Sequence, residues 1–226
     1  MPIELFTLTY QKQVAEVPGT VSFYFEKPAG YTYQAGQQVS MVLGESLQDR
    51  ALTRPMSFSS HPSDPFLRFT MHVDSGSDFK KKLLSLEAGH TIRISASRGQ
   101  FTWPEGEERL YWIAGGVGIT PFVSMLRGLK EQDYRRVALF HIAREHFPLA
   151  GEYRDLPIIQ KQTDFETMER DLRQAKERLT QAGGLFYLSG SPKFVQTVRG
   201  ILLELGIEKD AIVLDSFNGY EELLNS

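Results

Sequence analysis

The chain has 226 residues, 41% hydrophobic and 23% charged, which is enough apolar material to bury one large core or two smaller ones. Its formal net charge of -3, with no basic run longer than Lys80–Lys82, argues against a nucleic-acid binder. The absence of cysteine excludes disulfides, thiolate zinc sites and cysteine-held iron–sulfur clusters within the chain.

From Glu4 to about Ala96 the chain alternates in short β-branched and aromatic runs: ELFTLTY, TVSFYFE, QQVSMVL, FLRFTMHV and TIRISA. Turn residues at Pro18-Gly19, Pro28-Ala29-Gly30 and Pro62-Ser63-Asp64 separate them, which predicts an antiparallel barrel or sandwich. One helix fits this half. Ser77 can cap DFKKKLLSLEAG, Phe79, Leu83, Leu84 and Leu86 lie on or near one face, and Gly89 closes it. After about Pro104 the grammar changes to RLYWIAGG, a helix from Thr120, RVALFHI, LPIIQKQ, a charged helix near Asp164–Ala182, LFYLSG, another helix and AIVLD. Such alternation predicts parallel strands joined by right-handed crossovers, a doubly wound α/β sheet. The expected division, inside TWPEGEER, gives residues 1–104 and 105–226. No stretch approaches the roughly 18 apolar residues of a membrane span, and the N-terminus lacks a basic start followed by an apolar core, so the chain reads as cytoplasmic.

Two stretches point to chemistry. The strand YWIAGG runs straight into Val117-Gly118-Ile119-Thr120-Pro121, with Thr120 suited to cap a helix and Pro121 to its first position. In an open parallel sheet such a helix start lies where ligands bind, and Gly115, Gly116 and Gly118 would let a pyrophosphate or flat ring approach the backbone. Pro121 stands where G-x-G-x-x-G has its third glycine, so this is not the usual dinucleotide fingerprint. Taken alone, the stretch reads equally as a tight strand-to-helix turn. The second stretch is Arg54-Pro55-Met56-Ser57-Phe58-Ser59-Ser60, where an arginine could grip a phosphate or simply begin a strand as a surface cation.

In sequence order the chain resembles the ferredoxin–NADP reductase family of flavoproteins. YQAGQQV at 33–39 is similar to an aromatic-x-P-G-Q segment with Ala35 for proline, and RPMS at 54–57 to the flavin motif R-x-Y-S. DSGSDF at 74–79 resembles the lead into the flavin pyrophosphate helix, and SRGQF at 97–101 a G-x-F strand end. AGGVGITP resembles G-G-x-G-x-T-P, YLSGSP at 187–192 resembles C-G-x-P, and DSFNGY at 215–220 an F-x-G-Y ending.

The resemblance implies an FAD-binding barrel over 1–104 and an NAD(P)-binding domain over 105–226. Arg54, Pro55, Gly76 and Ser77 would hold FAD, with Ser57 beside the flavin's reactive nitrogen. Met56 stands where an aromatic residue commonly stacks on the flavin, and a thioether can pack there for up to about 1.5 kcal/mol. Thr120 would lie near both rings. Gly115, Gly116 and Gly118 would take the NAD(P)H pyrophosphate or ribose, and Ser189, Gly190, Ser191 and Pro192 would floor the nicotinamide. Ser189 replaces a common cysteine, which implies slower hydride transfer. Phe217 and Tyr220 would cover the ring face, or serve as core aromatics. Arg144, aided by Lys193 and Arg199, favours a 2′-phosphate and hence NADPH, although the adjacent Glu145 could bind a ribose hydroxyl instead. His72, His141 and His146 lack metal spacing, so no metal is expected.

The implied activity is hydride transfer from NAD(P)H to FAD, with electrons passed to a separate ferredoxin, flavodoxin or oxygenase iron–sulfur component. Arg68, Lys80, Lys81, Lys82 and Arg98 could form a docking surface for such a carrier, or be plain solvated charge. The alternatives are a flavin reductase that releases reduced flavin, and a flavin- or nucleotide-binding subunit without turnover.

Overall fold

The structure is a computed structural model, and it describes residues 4–106 and 108–215. The N-terminal half contains β1 (Leu5–Val17), β2 (Thr20–Glu26), β3 (Gln38–Val42), β4 (Thr53–Ser57), β5 (Phe66–His72) and β6 (Thr91–Ser95). They pair antiparallel in the order β4-β3-β6-β1-β2-β5. Just past β4, the Ser59 N–H donates to the Arg68 carbonyl of β5 at 2.9 Å, joining the two ends of that order into a barrel. The period-2 pattern is realised as an aromatic interior in which Phe23, Phe25, Phe58 and Phe69 have no exposed surface.

A single helix, α1 (Asp78–Leu84), covers the barrel, with Ser77 accepting the Lys80 N–H at 3.5 Å. Phe79 and Leu83 are buried and Leu84 is exposed, so the apolar face is narrower than the sequence implied. The helix also stops five residues before Gly89. That glycine instead donates its N–H to the Tyr10 carbonyl of β1 at 2.9 Å, which draws the chain back to the barrel.

The second half contains β7 (Leu110–Gly115), β8 (Val137–Ile142), β9 (Ile159–Thr163), β10 (Leu185–Ser189) and β11 (Ile212–Leu214), all parallel, in the order β11-β10-β7-β8-β9. One face is covered by α2 (Thr120–Leu126), with the short α3 (Glu131–Tyr134) following it. The other face is covered by α4 (Phe165–Gln174), α5 (Lys176–Ala182) and α6 (Pro192–Glu204). The expected charged helix is thus two helices that meet at Ala175, burying Met168, Leu172 and Leu179. Both predicted architectures are present, a barrel with one capping helix followed by a doubly wound sheet.

Polar contacts tie the halves together. Arg68 pairs with Glu152 at 2.6 Å, and Arg127 reaches both Glu152 and Asp64 at 3.2 Å. Ser124 Oγ donates to the Ser60 carbonyl at 2.5 Å, and Tyr187 Oη to that of Thr102 at 2.9 Å. Arg68, read from sequence as part of a docking surface, is only 4% exposed. Its guanidinium also binds Ser59 and stays inside, because a cation at that depth needs a carboxylate beside it. Arg98 is half-buried, donating to Ser40 and Ser95, whereas Lys81 and Lys82 are exposed.

Candidate functional site

In the parallel sheet the winding direction reverses between β7 and β10, and the crevice at their carboxyl ends is where such sheets bind ligands. The glycine turn sits there for reasons that differ from residue to residue. A Cβ on Gly118 would lie 2.3 Å from the Ser189 carbonyl oxygen, and one on Gly115 would lie 2.8 Å from the Phe194 ring. Both are therefore required by the protein's own packing. Gly116 has φ +53° and open space, with only His72 Nε2 near at 3.7 Å, so backbone conformation selects glycine there.

The turn enters the helix earlier than the sequence suggested. A 3₁₀ turn over Gly116–Ile119 continues into α2, so Thr120 is the first helical residue rather than its cap. Its hydroxyl donates back to the Val117 carbonyl at 3.0 Å, because the preceding turn already supplies helical geometry. Pro121 lies in the first turn as expected. At the neighbouring strand end, Ser191 caps α6 by accepting the Phe194 N–H at 3.3 Å, and Pro192 begins that helix.

The two halves meet chemically at Asp215, directly after β11. Its Oδ2 accepts from Ser57 Oγ of β4 at 3.1 Å and from Ser189 Oγ of β10 at 2.8 Å. All three residues are buried. Burial pushes the Asp215 carboxyl up to about 6, and the two hydroxyls partly oppose that rise. Sequence reasoning noted the segment and assigned this residue no role. The available signal was an acidic residue at the end of the apolar run AIVLD, which has to find donors if it is buried. Phe217 and Tyr220 lie outside the described residues.

On the barrel side Pro55 pairs with Ser40 and Met56 with Val39, and Met56 packs half-buried against the aromatic interior. The Arg54 guanidinium lies 5.5 Å from the Phe79 ring centroid and donates to its neighbours, the carbonyls of Thr53 at 2.7 Å and of Arg50. The Lys80 ammonium is pulled below its ordinary value by burial and by Arg54, with Asp74 opposing. The two cations are thus near enough for their charges to interact, and Gly76, just before the cap of α1, has φ +62° with no atom within 4 Å of a Cβ position. Lys80 was read only as surface charge, since its nearness to Arg54 depends on α1 packing against β4.

A cavity of about 400 Å³ opens at the glycine turn, lined by His72, Gly115, Gly116, Val117, Arg144, Asp164 and Ser191 among others. Arg144 and Asp164 bring opposite charges to its lining, while Lys193 and Arg199 are not part of it. Among the described residues no three His, Asp or Glu side chains gather as metal ligands, and no helix is long and apolar enough to cross a membrane.

Comparison with known proteins agrees with this fold. No protein-family model matches the chain. The flavohemoprotein of Bacillus subtilis is 27% identical over 240 residues, covering 95% of this chain and 60% of that protein. The chain therefore spans about 60% of the length of this relative. Among solved structures, a ferredoxin NADP+ reductase from Neisseria gonorrhoeae, with bound FAD and NADP, superposes with a TM-score of 0.75 at 17% identity, over 93% of this chain and 98% of that one. The chain has the ferredoxin–NADP reductase fold. The flavohem-like FAD/NAD binding domain of nitric oxide dioxygenase from Vibrio cholerae gives a TM-score of 0.74 at 22% identity, over 92% and 97% of the two chains. The resemblance read from the ordered motifs is therefore borne out at the level of architecture, while three of the motifs depart from the family pattern, at Ala35, Met56 and Ser189.

Proposed function

We propose that this ferredoxin–NADP reductase-like chain is an FAD-dependent reductase that accepts a hydride from NADH or NADPH and passes electrons to a separate carrier protein. The observation that carries the reading is the shared Asp215 oxygen, since Ser57 of the barrel and Ser189 of the parallel sheet converge on it from opposite sides. The ligand-binding end of the doubly wound sheet is thereby held against the RPMS strand. Bound FAD would supply what these side chains lack, the capacity to take two electrons with a hydride and release them singly.

The residues fit such a group. Arg54 on β4 and Lys80 on α1, near enough for their charges to interact, would offer two cations to a pyrophosphate, with Ser77 capping α1 and open space at Gly76. Pro55 and Met56 would offer an apolar surface to a flat ring, and Ser57 a hydroxyl beside it. Gly116, Thr120, Ser189, Gly190, Ser191 and Pro192 would bind and orient the nicotinamide nucleotide, with Gly115 and Gly118 keeping the two strand ends close enough to do so. In the cavity Arg144 supports a 2′-phosphate, whereas Asp164 favours a ribose hydroxyl.

With no cysteine in the chain, an iron–sulfur acceptor lies outside it, so a ferredoxin, a flavodoxin or an oxygenase component is the proposed partner. We place the boundary between the two functional units at residues 104/105 and the protein in the cytoplasm. A second reading, a flavin reductase, draws on Met56 in place of an aromatic and on Arg54 turned toward carbonyls of its own strand region.

The absorption spectrum of the purified protein tests both readings. A yellow protein that keeps its colour through dialysis and is bleached anaerobically by NADH or NADPH, then reoxidised by a carrier, supports the first. Loss of colour on dialysis favours the second. A retained flavin that neither nucleotide bleaches refutes reductase activity.

A further inference from the structure

His141 lies on β8 opposite Ala114 of β7, at a position whose alternation partners Val137 and Leu139 are apolar core. It has no exposed surface. An aliphatic side chain would fill this place without polar cost, so an imidazole persists only if both nitrogens are satisfied. They are. Nε2 is 2.8 Å from the Gly116 carbonyl oxygen, which can only accept, so Nε2 carries the proton. Nδ1 therefore accepts from the Tyr153 hydroxyl at 2.6 Å, and the Tyr153 oxygen accepts from Gln162 Nε2 at 3.0 Å. Burial pushes the ring down to about 4, which keeps it neutral in this one tautomer.

Gly116 is the one glycine of the turn whose conformation, rather than crowding, selects its identity. Its peptide with Val117 is trans, so the Val117 N–H points opposite to the Gly116 carbonyl. With the carbonyl directed into the core at His141, that N–H is directed outward, on the side of the cavity that Gly116 and Val117 line. Position 117 also lies at the start of a 3₁₀ turn, where N–H groups have no partner within the helix.

We propose that His141 is a positioning residue for nicotinamide-nucleotide binding: by holding the Gly116 carbonyl it fixes the turn so that the Val117 N–H faces the nucleotide. The proposal rests on the reductase reading above and specifies which buried group orients that site. Tyr153 and Gln162 form the outer part of the same relay and hold the ring in register.

Two measurements test it. In the protein without nucleotide, nitrogen NMR of His141 is expected to report the Nε2–H tautomer, and His141→Leu is expected to speed amide hydrogen exchange at Gly118 and Ile119, inside the 3₁₀ turn. With the flavin bound, His141→Leu is expected to weaken reduced-nucleotide binding about tenfold, as for one fixed hydrogen bond, with the limiting rate of flavin reduction within about threefold of the unmodified protein and flavin content unchanged. His141→Gln, whose amide can donate to the same carbonyl, recovers most of the affinity. If His141→Leu does not fold, Tyr153→Phe takes its place, since it removes the hydroxyl that donates to Nδ1 and steadies the ring while keeping the imidazole. An Nδ1–H tautomer, or equal binding in the Leu, Gln and unmodified proteins, overturns the proposal. A flavin that no nucleotide reduces in the unmodified protein overturns the reductase reading instead, while tautomer and exchange still judge the Gly116 bond.

Discussion

Asp215 and His141 are buried ionisable groups whose effects on stability run in opposite directions over nearly the same pH range. The Asp215 carboxyl is raised from 3.8 to about 6, so its contribution is fully present below the unfolded value and is lost as pH rises through 6. His141 is lowered from 6.5 to about 4, so its contribution is fully present above the unfolded value and is lost as pH falls toward 4. Each displacement corresponds to about 3 kcal/mol. Between about pH 7 and about pH 4.5, Asp215 adds about 2 kcal/mol while His141 removes about 2 kcal/mol, so the pair is expected to cancel in the unmodified protein. Single substitutions uncover the hidden slopes. Relative to the unmodified protein, Asp215→Asn loses about 2 kcal/mol on acidification across that range, and His141→Gln gains about the same. Urea unfolding at a series of pH values measures both, and the double variant is expected to run parallel to the unmodified chain. A stability difference between Asp215→Asn and the unmodified protein that does not change with pH would refute the assignment of a buried, poorly solvated carboxylate at the meeting point of the two halves.

Further outcomes follow from the site geometry. Gly118→Ala drives a methyl into the Ser189 carbonyl at 2.3 Å and is expected to cost more than about 2 kcal/mol by thermal unfolding, whereas Gly116→Ala costs only the left-handed backbone, about 1 kcal/mol. Arg54→Gln is expected to weaken FAD retention about tenfold or more with little change in Tm, measured as flavin content after dialysis, and unchanged retention would remove Arg54 from the pyrophosphate site. Glu152→Gln leaves the buried Arg68 without its carboxylate and is expected to destabilise the chain by about 2 kcal/mol in urea; a change below about 0.5 kcal/mol would mean that the contact between the halves rests on packing instead.

Much of the architecture was legible because it depends on local periodicity. The alternating runs before Ala96 became barrel strands, and the apolar runs YWIAG, VALFHI and LFYLS became parallel ones. Helix ends were less legible. Gly89 looked like a helix stop, yet a tertiary hydrogen bond to Tyr10 claims it. Thr120 looked like a cap, yet the 3₁₀ turn before it had already started the helix. Arg68 looked like surface charge because composition says nothing of a carboxylate 84 positions away that draws it inside.

The sequence by itself determined the two fold classes, their order along the chain and the glycine-rich and RPMS stretches at which ligand chemistry would concentrate, because those follow from side-chain period and from which residues tolerate special backbone. Only the tertiary structure decided that Asp215 joins Ser57 to Ser189, that Lys80 stands with Arg54, and that a neutral His141 holds the turn at Gly116. Those contacts link residues far apart in the chain, and they arise from the need of buried polar groups to find partners once the apolar surfaces have been covered.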